Sequence, residues 1–245
     1  MTTIVIPMAG KSSRFYNAGY TIPKYKLKID GKSVFYHSLK GFHKFNKSYF
    51  LLIGVEGTLD INFVEAELAS LGIDSYDVVL LDKMTNGQAE TVFNGLQKVN
   101  KKIKDDILIF NIDTFRKEIA LPDFIDLNKC SGYLETFIGS GNNWSNVLPS
   151  TDESHVVSLT AEKQSISEYC CTGLYYFSHV DYFYESYLDW IKNNMGDNEV
   201  YIAPLYNYLI NNNHRVCFTV IDEKEVVFCG VPSEYESIQY GFSWK

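Results

Sequence analysis

The sequence predicts an α/β fold built on a mainly parallel sheet. Short apolar runs, typical of buried strands, alternate over the first half of the chain with segments whose apolar residues recur at helical spacing. The chain has 245 residues, 46% of them hydrophobic, which is enough for one large domain with a core. Alternating strands and helices imply right-handed crossovers, with helices on both faces of the sheet.

The N-terminal elements follow one another regularly. Strands are predicted over 3–7, 49–55, 76–82 and 105–113, and helices over 33–45, 61–72 and 87–99. Gly72 is typical of a helix C-cap and Asn86 of an N-cap. Ligands in such sheets bind beyond the carboxyl ends of the strands. Residues 10–14, Gly87 and Asp113 fall in that region.

The regular alternation of predicted strands and helices ends after residue 115. Strands are predicted over 132–140, 155–163 and 172–178, and helices over 180–194 and 201–213. Segments 215–222 and 225–231 are expected to form a hairpin or two late strands. We interpret residues 1–245 as a single domain with a nucleotide-binding half (1–115) and an acceptor-binding half (116–245).

Bulk properties exclude several classes of protein. A net charge of −8 and a pI of about 5.1 argue against a nucleic-acid-binding surface. No run approaches the roughly 18 apolar residues of a membrane helix, and no secretory signal is visible. Five cysteines without a C-x-x-C pair predict a reduced, cytoplasmic protein. The five histidines are scattered and do not predict a zinc site.

The first loop carries the tail of a P-loop, Gly10–Lys11–Ser12. A strict P-loop would place its first glycine at position 5, which is Val5. A strand that leads into a small polar loop ending in Arg14 is nevertheless a reasonable anion cradle. An ordinary strand-to-loop turn explains the same residues, and this stretch alone leaves both readings open.

Longer segments resemble the sugar-phosphate nucleotidylyltransferases. The opening "IPMAGKSSRF" is similar to their A-G-x-G-[ST]-R-[LF] loop, with Ser12 in place of the second glycine, and Pro23–Lys24 matches their P-K pair. The similarity continues, in the family's order, through "FNID", "AEKQSISEYCCTGLYYF", "EVYIAPLYNYLI" and "CGVPSEYESI". Single motifs of this kind are weak, but five in order over most of the chain are specific. The resemblance implies a GT-A-like, Rossmann-type three-layer sandwich with a mainly parallel mixed sheet.

The resemblance also implies the reaction and its residues. A phosphate of the acceptor attacks the α-phosphorus of a nucleoside triphosphate, and pyrophosphate leaves. Positioning and cationic stabilisation then provide most of the catalysis. The implied catalytic residues are Arg14 and Lys24; the nucleotide-binding residues are Ala9, Gly10, Lys11, Ser12, Ser13, Gly87, Gln88 and Thr91; the acceptor-binding residues are Glu162, Lys163, Trp144 and Glu199; and Asp113 is the Mg²⁺ ligand.

Each of these assignments has a plainer alternative. Lys24 is preferred over the nearby lysines 26, 28 and 32 because only Lys24 follows a proline. Asp113 could be an exposed residue that begins a turn, and the Glu162–Lys163 pair could be a solvated surface. The family's second carboxylate has no counterpart in residues 228–232. The nearest acids upstream of that segment are Asp222 and Glu225.

Within the family, the opening and "VYIAPLYN" resemble a branch from surface-polysaccharide gene clusters. That branch includes a CTP:phosphoglutamine cytidylyltransferase of capsule phosphoramidate synthesis, which implies CTP and a phosphorylated amino acid amide as substrates. A sugar 1-phosphate or phosphocholine is an alternative acceptor. A GT-A glycosyltransferase and a non-catalytic nucleotide sensor are alternative functions, although Asn111-Ile112-Asp113 departs from the glycosyltransferase D-x-D. The many aromatic residues are compatible with a homodimer.

Overall fold

A computed structural model describes residues 2–101, 103–194 and 199–244 of the chain. The strands are β1 (Thr3–Pro7), β2 (Lys28–Ile29), β3 (Lys32–Ser33), β4 (Tyr49–Val55), β5 (Tyr76–Leu81), β6 (Ile107–Phe110), β7 (Thr114–Arg116), β8 (Gly132–Ile138), β9 (Ser145–Pro149), β10 (Val157–Glu162), β11 (Tyr169–Phe177), β12 (Val216–Ile221) and β13 (Val226–Phe228).

The helices lie between and after these strands. They are α1 (Ser13–Asn17), α2 (Val34–Lys40), α3 (Ile61–Ser70), α4 (Gln88–Lys98), α5 (Val180–Asn193), α6 (Tyr206–Asn211) and α7 (Pro232–Ile238). Short 3-10 turns occupy Lys24–Lys26, His43–Phe45, Leu127–Lys129, Ala203–Leu205 and Glu223–Glu225. Among the helices of the described residues, none is both long and apolar enough to cross a membrane.

One large mixed sheet organises the domain. Its strand order is β10-β9-β11-β6-β1-β4-β5, and β8 joins β11 to β12 on a branch. The segment β6-β1-β4-β5 is entirely parallel, while β11 runs antiparallel to both β6 and β8. The predicted α/β fold with a mainly parallel mixed sheet is thereby confirmed.

Helices cover both faces of the sheet, because the central strands are apolar on both sides. In β1, Val5 packs into a core formed with α4, α5 and α6, whereas Ile4 and Ile6 pack into a second core formed with α2 and α3. Side chains on a strand point alternately to opposite faces, so an uninterrupted apolar run is what a doubly covered strand requires. The layers are therefore helix, sheet and helix, as predicted.

The C-terminal pairing differs from the prediction. Segments 215–222 and 225–231 do not form a hairpin: β12 pairs in parallel with β8, and β13 pairs antiparallel with β7. The predicted strand 105–113 ends at Phe110, so Asp113 lies in the turn between β6 and β7. The predicted helix 33–45 is interrupted after Lys40, and β9, α1 and α7 are elements that the sequence patterns did not indicate.

The prediction that all cysteines are reduced is wrong for one pair. Cys130 and Cys217 form a disulfide between residues 87 positions apart in the sequence. Because β12 lies beside β8, their Cα atoms come to 6.3 Å, a distance that a disulfide can span. Sequence spacing alone cannot reveal such a long-range pair. The remaining cysteines, 170, 171 and 229, are free and buried.

A buried ion pair anchors the small β7–β13 sheet that follows Asp113. The guanidinium of Arg116 donates to both carboxylate oxygens of Glu135 on β8, at 2.9 and 3.0 Å, and also to the carbonyl of Glu225. The hydroxyl of Thr172 donates to the same carboxylate at 2.9 Å. Burial raises the pKa of Glu135, and Arg116 opposes that rise by favouring the charged form. This network connects the turn at Asp113 to the main sheet.

Candidate active site

A cavity of about 420 Å³ lies beyond the carboxyl ends of β1 and β6. Its wall is formed by the loop after β1 (Pro7, Met8, Ala9, Gly10, Lys11 and Ser12), by Lys24 and Tyr25, by the start of α4 and the loop before it (Met84, Thr85, Gly87, Gln88 and Thr91), by Asn111, Ile112 and Asp113, and by Glu199. We call it the main cavity. Most of the predicted nucleotide-binding residues meet here, as the position of ligands in open α/β sheets predicts.

The loop after β1 closes tightly although Ser12 replaces a glycine. Ser12 adopts a left-handed conformation (φ 51°, ψ 26°), which glycine takes without steric cost and other residues adopt less readily. Its carbonyl accepts from Phe15 N at 2.9 Å, and its hydroxyl accepts from Lys24 N at 3.2 Å. The serine therefore keeps the glycine-like turn and also connects the loop to the lysine predicted to be catalytic.

Lys24 and Asp113 form an ion pair in the wall of the main cavity. The Lys24 ammonium donates to Oδ2 of Asp113, and the two side chains are 16% and 25% exposed. Pro23 places Lys24 at the start of a 3-10 turn, and a bond from Cys229 N to the Asp113 carbonyl (2.8 Å) fixes the other partner. Residues predicted to bind phosphate and metal are thus adjacent, and each neutralises the other in the free protein.

A second carboxylate, Glu234, lies close to Asp113. Its Oε2 accepts from the backbone N–H groups of Gly230 (2.7 Å) and Val231 (3.1 Å) at the start of α7. A Cβ placed on Gly230 would lie 3.4 Å from Oδ2 of Asp113 and 3.6 Å from Oε2 of Glu234. Glu234 lies downstream of residues 228–232, whereas the acids noted from the sequence, Asp222 and Glu225, lie upstream. Of those, Asp222 caps the turn Glu223–Glu225.

Gln88 and Asn111 bridge α4 and the end of β6 across the main cavity. The Gln88 amide donates to Oδ1 of Asn111, and Asn111 N donates to the carbonyl of Gly173 at 3.2 Å. The Thr91 hydroxyl is buried between Oγ1 of Thr85 (2.6 Å) and the Gly87 carbonyl (3.0 Å). Asn111 was not among the predicted site residues; its place two residues before Asp113 in "FNID" was the available signal.

Gly87 allows the loop before α4 to approach the segment that carries Glu199. Gly87 has φ 127°. Beside it, the Asn86 carbonyl accepts from Val200 N at 2.7 Å, and Ala89 N donates to the Val200 carbonyl at 3.0 Å. A Cβ at position 87 would lie 2.5 Å from both Val200 N and O. The absence of a side chain is therefore a packing requirement at this edge of the cavity.

We expect Gly87→Ala to lower the free energy of unfolding by about 1–3 kcal/mol, because it adds backbone strain and a clash with Val200. Urea unfolding followed by circular dichroism measures the loss. Gly141→Ala is the matched control, since Gly141 also has positive φ (96°) but a Cβ there would meet no atom within 4 Å. Equal losses in the two variants would contradict the packing explanation.

Of the predicted acceptor residues, only Glu199 lines the main cavity, and Lys163 is connected to it through Tyr201. Lys163 donates to the Tyr201 hydroxyl, which in turn donates to Glu199 on the cavity wall. The Glu162 carboxylate accepts from Ser145, and burial raises its pKa although this bond opposes the rise.

Besides Glu162 and Lys163, three other predicted residues do not line the main cavity. Trp144 packs against Phe137 and Phe228, with ring centroids 5.2 and 4.4 Å apart, in a hydrophobic cluster. Ser13 and Arg14 lie at the exposed start of α1.

A second cavity of about 560 Å³ adjoins the first on the other side of the β1 loop. We call it the adjoining cavity. The two share Met8, Gly10, Lys11, Ser12, Tyr25 and Met84. The remaining wall consists of Tyr16, Pro23 and Lys26, and of Gly57, Thr58, Leu59 and Asp60 after β4. The shared residues make the two cavities direct neighbours.

The whole chain is similar to proteins of known structure. The structure of the nucleoside-diphosphate-sugar pyrophosphorylase from Vibrio cholerae RC9 matches with a TM-score of 0.89 and 41% sequence identity, covering 96% of this chain and 99% of that one. The inositol-1-phosphate CTP transferase from T. maritima matches with a TM-score of 0.75 and 15% identity, covering 95% and 90% of the two chains.

A putative glucose-1-phosphate thymidylyltransferase from Bacillus anthracis matches with a TM-score of 0.73 and 14% identity, covering 98% and 94%. The two more distant matches show the shared fold alone. No protein-family model and no curated protein matches the chain. With 41% identity over almost the full length of both proteins, the chain belongs to the nucleotidyltransferase family of the V. cholerae nucleoside-diphosphate-sugar pyrophosphorylase.

Proposed function

We propose that this nucleotidyltransferase moves CMP from CTP to the phosphate of a small phosphorylated acceptor and releases pyrophosphate. The observation that carries the proposal is the Lys24–Asp113 pair, which shares the main cavity with the Gly10–Ser12 loop and with Glu199. A cation, a carboxylate and a loop with backbone donors are the parts that phosphoryl transfer requires.

Lys24 is the residue at the reacting centre in this proposal. An acceptor phosphate oxygen forms a bond to the α-phosphorus, and the bond from that phosphorus to the oxygen bridging to the β-phosphate breaks. Lys24 stabilises the negative charge on the α-phosphoryl oxygens, and N–H groups of residues 10–13 bind the phosphates, assisted by Lys11 and Arg14. Lys24 is held beside this loop by the Ser12 hydroxyl, so the two are positioned together.

Asp113 is the proposed protein ligand for Mg²⁺. Among the described residues, no group of three or more His, Cys, Asp or Glu side chains could hold a metal ion. Mg²⁺ commonly takes only one or two carboxylates and fills its remaining positions with phosphate oxygens and water. One partly exposed carboxylate, with Glu234 near it, fits that mode of binding. Bound there with the triphosphate, Mg²⁺ would neutralise phosphate charge and make the α-phosphorus more electrophilic.

The acceptor is proposed to bind beside Glu199 on the wall of the main cavity, where Lys163, Glu162 and Trp144 would complete its site. Lys163 offers a cation for a phosphate, and the two carboxylates offer acceptors for an amine or hydroxyl groups. Residues 1–115 and 116–245 would then be the nucleotide-binding and acceptor-binding halves. Phosphoglutamine, in capsular polysaccharide modification, is the acceptor that the sequence resemblance favours.

A sugar 1-phosphate is the second candidate acceptor. The observation in its favour is the 41% identity to a protein named a nucleoside-diphosphate-sugar pyrophosphorylase. The hydroxyl-rich ring of a sugar phosphate suits the same carboxylates and lysine. The two candidates share the nucleotide site and the reaction, and they differ only in what contacts Glu162 and Glu199.

Thermal unfolding with CTP, UTP, dTTP, GTP or ATP, each with Mg²⁺, tests the donor. A ligand at 100 times its Kd stabilises the folded state by about 2.7 kcal/mol, which raises the melting temperature measurably. We expect CTP to give the largest rise in melting temperature. In a separate assay with CTP, adding phosphoglutamine or a sugar 1-phosphate should release pyrophosphate. Stabilisation by a nucleotide-sugar but by no triphosphate would contradict the proposal and favour a glycosyltransferase.

A further inference from the structure

A row of hydrogen bonds leads from the wall of the main cavity to a lysine outside it. The Lys163 ammonium donates to the Tyr201 hydroxyl, and that hydroxyl donates to Oε2 of Glu199. Glu199 lines the main cavity, whereas Tyr201 and Lys163 do not. Nζ of Lys163 also lies 3.6 Å from Oε2 of Glu199. Tyr201 is therefore the bridge between the cavity wall and the lysine that the proposed function assigns to the acceptor phosphate.

The backbone on both sides of Tyr201 is fixed. Val200 N donates to the Asn86 carbonyl at 2.7 Å, and the Val200 carbonyl accepts from Ala89 N at 3.0 Å at the start of α4. Val200 and Ile202, the neighbours of Tyr201 in the sequence, are both buried. A tyrosine between two buried residues, one of them hydrogen-bonded to another element, has little freedom to move. Tyr201 is therefore a firm support for a side chain that contacts it.

Lys163 needs such a support. It follows Glu162, the last residue of β10, with φ 53°, and its backbone N–H donates to the Trp144 carbonyl at 3.0 Å. Its side chain is 48% exposed, and an exposed lysine ordinarily samples many rotamers. The Lys163 ammonium lies 4.4 Å from the centre of the Tyr201 ring and bonds to the hydroxyl of the same residue. Ring and hydroxyl together confine the ammonium before any acceptor binds.

The direction of these hydrogen bonds leaves Lys163 able to bind a phosphate. Burial and the bond to Glu199 raise the pKa of Tyr201, so its hydroxyl keeps its proton at neutral pH and donates it to Glu199. The hydroxyl oxygen then serves Lys163 as an acceptor. An ammonium has three donors, and Tyr201 takes only one of them. Lys163 therefore keeps donors for a phosphate, whereas the proton of Tyr201 is already in use.

We propose that Tyr201 is a positioning residue that holds the Lys163 ammonium in place for the phosphate of the acceptor. This inference rests on the proposed function and gives a role to a side chain that would not itself contact the acceptor phosphate. Ordering Lys163 in advance lowers the entropy cost of binding the acceptor. The Tyr201 hydroxyl should therefore affect the KM of the acceptor, and it should affect neither kcat nor the KM of CTP.

Tyr201→Phe tests the proposal, because phenylalanine keeps the ring beside Lys163 and removes only the hydroxyl. With phosphoglutamine or glucose 1-phosphate as acceptor, we expect the acceptor KM to rise by about tenfold, a common loss when a hydrogen bond to a charged group is removed. The kcat and the KM of CTP should stay within about twofold of wild type. Tyr208→Phe is the matched control, since the Tyr208 hydroxyl also bonds to a glutamate, Glu185, but lines neither cavity. That variant should leave all three constants unchanged.

The double variant with Lys163→Met distinguishes positioning from direct contact. Once the ammonium is absent there is nothing for the hydroxyl to hold, so adding Tyr201→Phe to Lys163→Met should change the acceptor KM by less than about twofold. A tenfold rise that persists in the double variant would overturn the inference, because the Tyr201 hydroxyl would then act on the acceptor itself. An unchanged acceptor KM in Tyr201→Phe alone, or an equal rise in the KM of CTP, would also overturn it.

A binding measurement separates this inference from the proposed function. If the wild type releases no pyrophosphate with CTP and either acceptor, the proposed reaction fails. Isothermal titration calorimetry with inorganic phosphate then decides the inference, and the relevant site is the one that Lys163→Met abolishes. We expect the Kd of that site to be about tenfold weaker in Tyr201→Phe than in the wild type. An equal Kd in the two proteins, or no phosphate site that depends on Lys163, would overturn the inference.

Discussion

Replacing Asp113 by asparagine is expected to lower the rate of pyrophosphate release by about a thousandfold, which corresponds to several kcal/mol of transition-state stabilisation. The change keeps the size of the side chain and removes the charge that is proposed to bind Mg²⁺. Asp113 lies in a turn whose backbone is held by Cys229 N, so we expect the fold to survive. Steady-state release of pyrophosphate from CTP with a saturating acceptor measures the effect.

The same variant separates binding from catalysis. In the free protein, Asp113 neutralises Lys24, so a triphosphate must compete with this carboxylate for the ammonium. Asp113→Asn frees the lysine, and we expect the Kd for CTP without Mg²⁺ to fall or stay the same while turnover is lost. Asp126→Asn, which changes an exposed carboxylate paired with Lys129, is the control. Full activity in Asp113→Asn would contradict the assignment of the metal ligand.

The parallel core was predictable from the sequence because its central strands β1, β4 and β6 are apolar on both faces. β1 and β4 begin and end at the predicted residues, since their uninterrupted apolar runs have no other stable location. The family was predictable as well, at the level of nucleotidyltransferases, because its motifs occur in order. These features are local in sequence or repeated along it.

Features that arise from distant pairings were not predictable. β13 pairs with β7, and β12 with β8, rather than with each other, because the intervening chain crosses from one sheet to the other. The disulfide, the approach of Glu234 to Asp113 and the Gln88–Asn111 bridge join residues that are remote in the sequence. Hydrophobic periodicity carries no information about which strand becomes the neighbour of which.

Site residues that local sequence motifs mark were likewise predicted, and those that depend on distant contacts were not. Gly10, Lys24, Gly87 and Asp113 were predicted because strand ends and family motifs mark them, and the fold brings them together around the main cavity. The adjoining cavity was not predicted, because it depends on pairings such as that of Asp60, the N-cap of α3, with Lys26.

Lys24→Met is expected to lower kcat by roughly 10²–10³, the usual effect of removing one preorganised group that stabilises transition-state charge. The methionine side chain is similar in length and keeps the packing of the stem, so the loss reports the missing charge. Pyrophosphate release at saturating CTP and acceptor is the measurement. Lys24→Arg should recover only part of the activity, because a planar guanidinium replaces a compact charge in a confined position.

Lys28→Met is the matched control for the identity of the catalytic lysine. Lys28 lies four residues further along the same segment, is exposed on β2 and lines neither cavity. We expect that variant to keep wild-type activity. Lys24→Met combined with Asp113→Asn should be little worse than the more damaged single variant, because residues that act on the same phosphoryl group are strongly non-additive. Strictly additive losses would mean that the two residues act independently, and their pairing in the free protein would then have no part in catalysis.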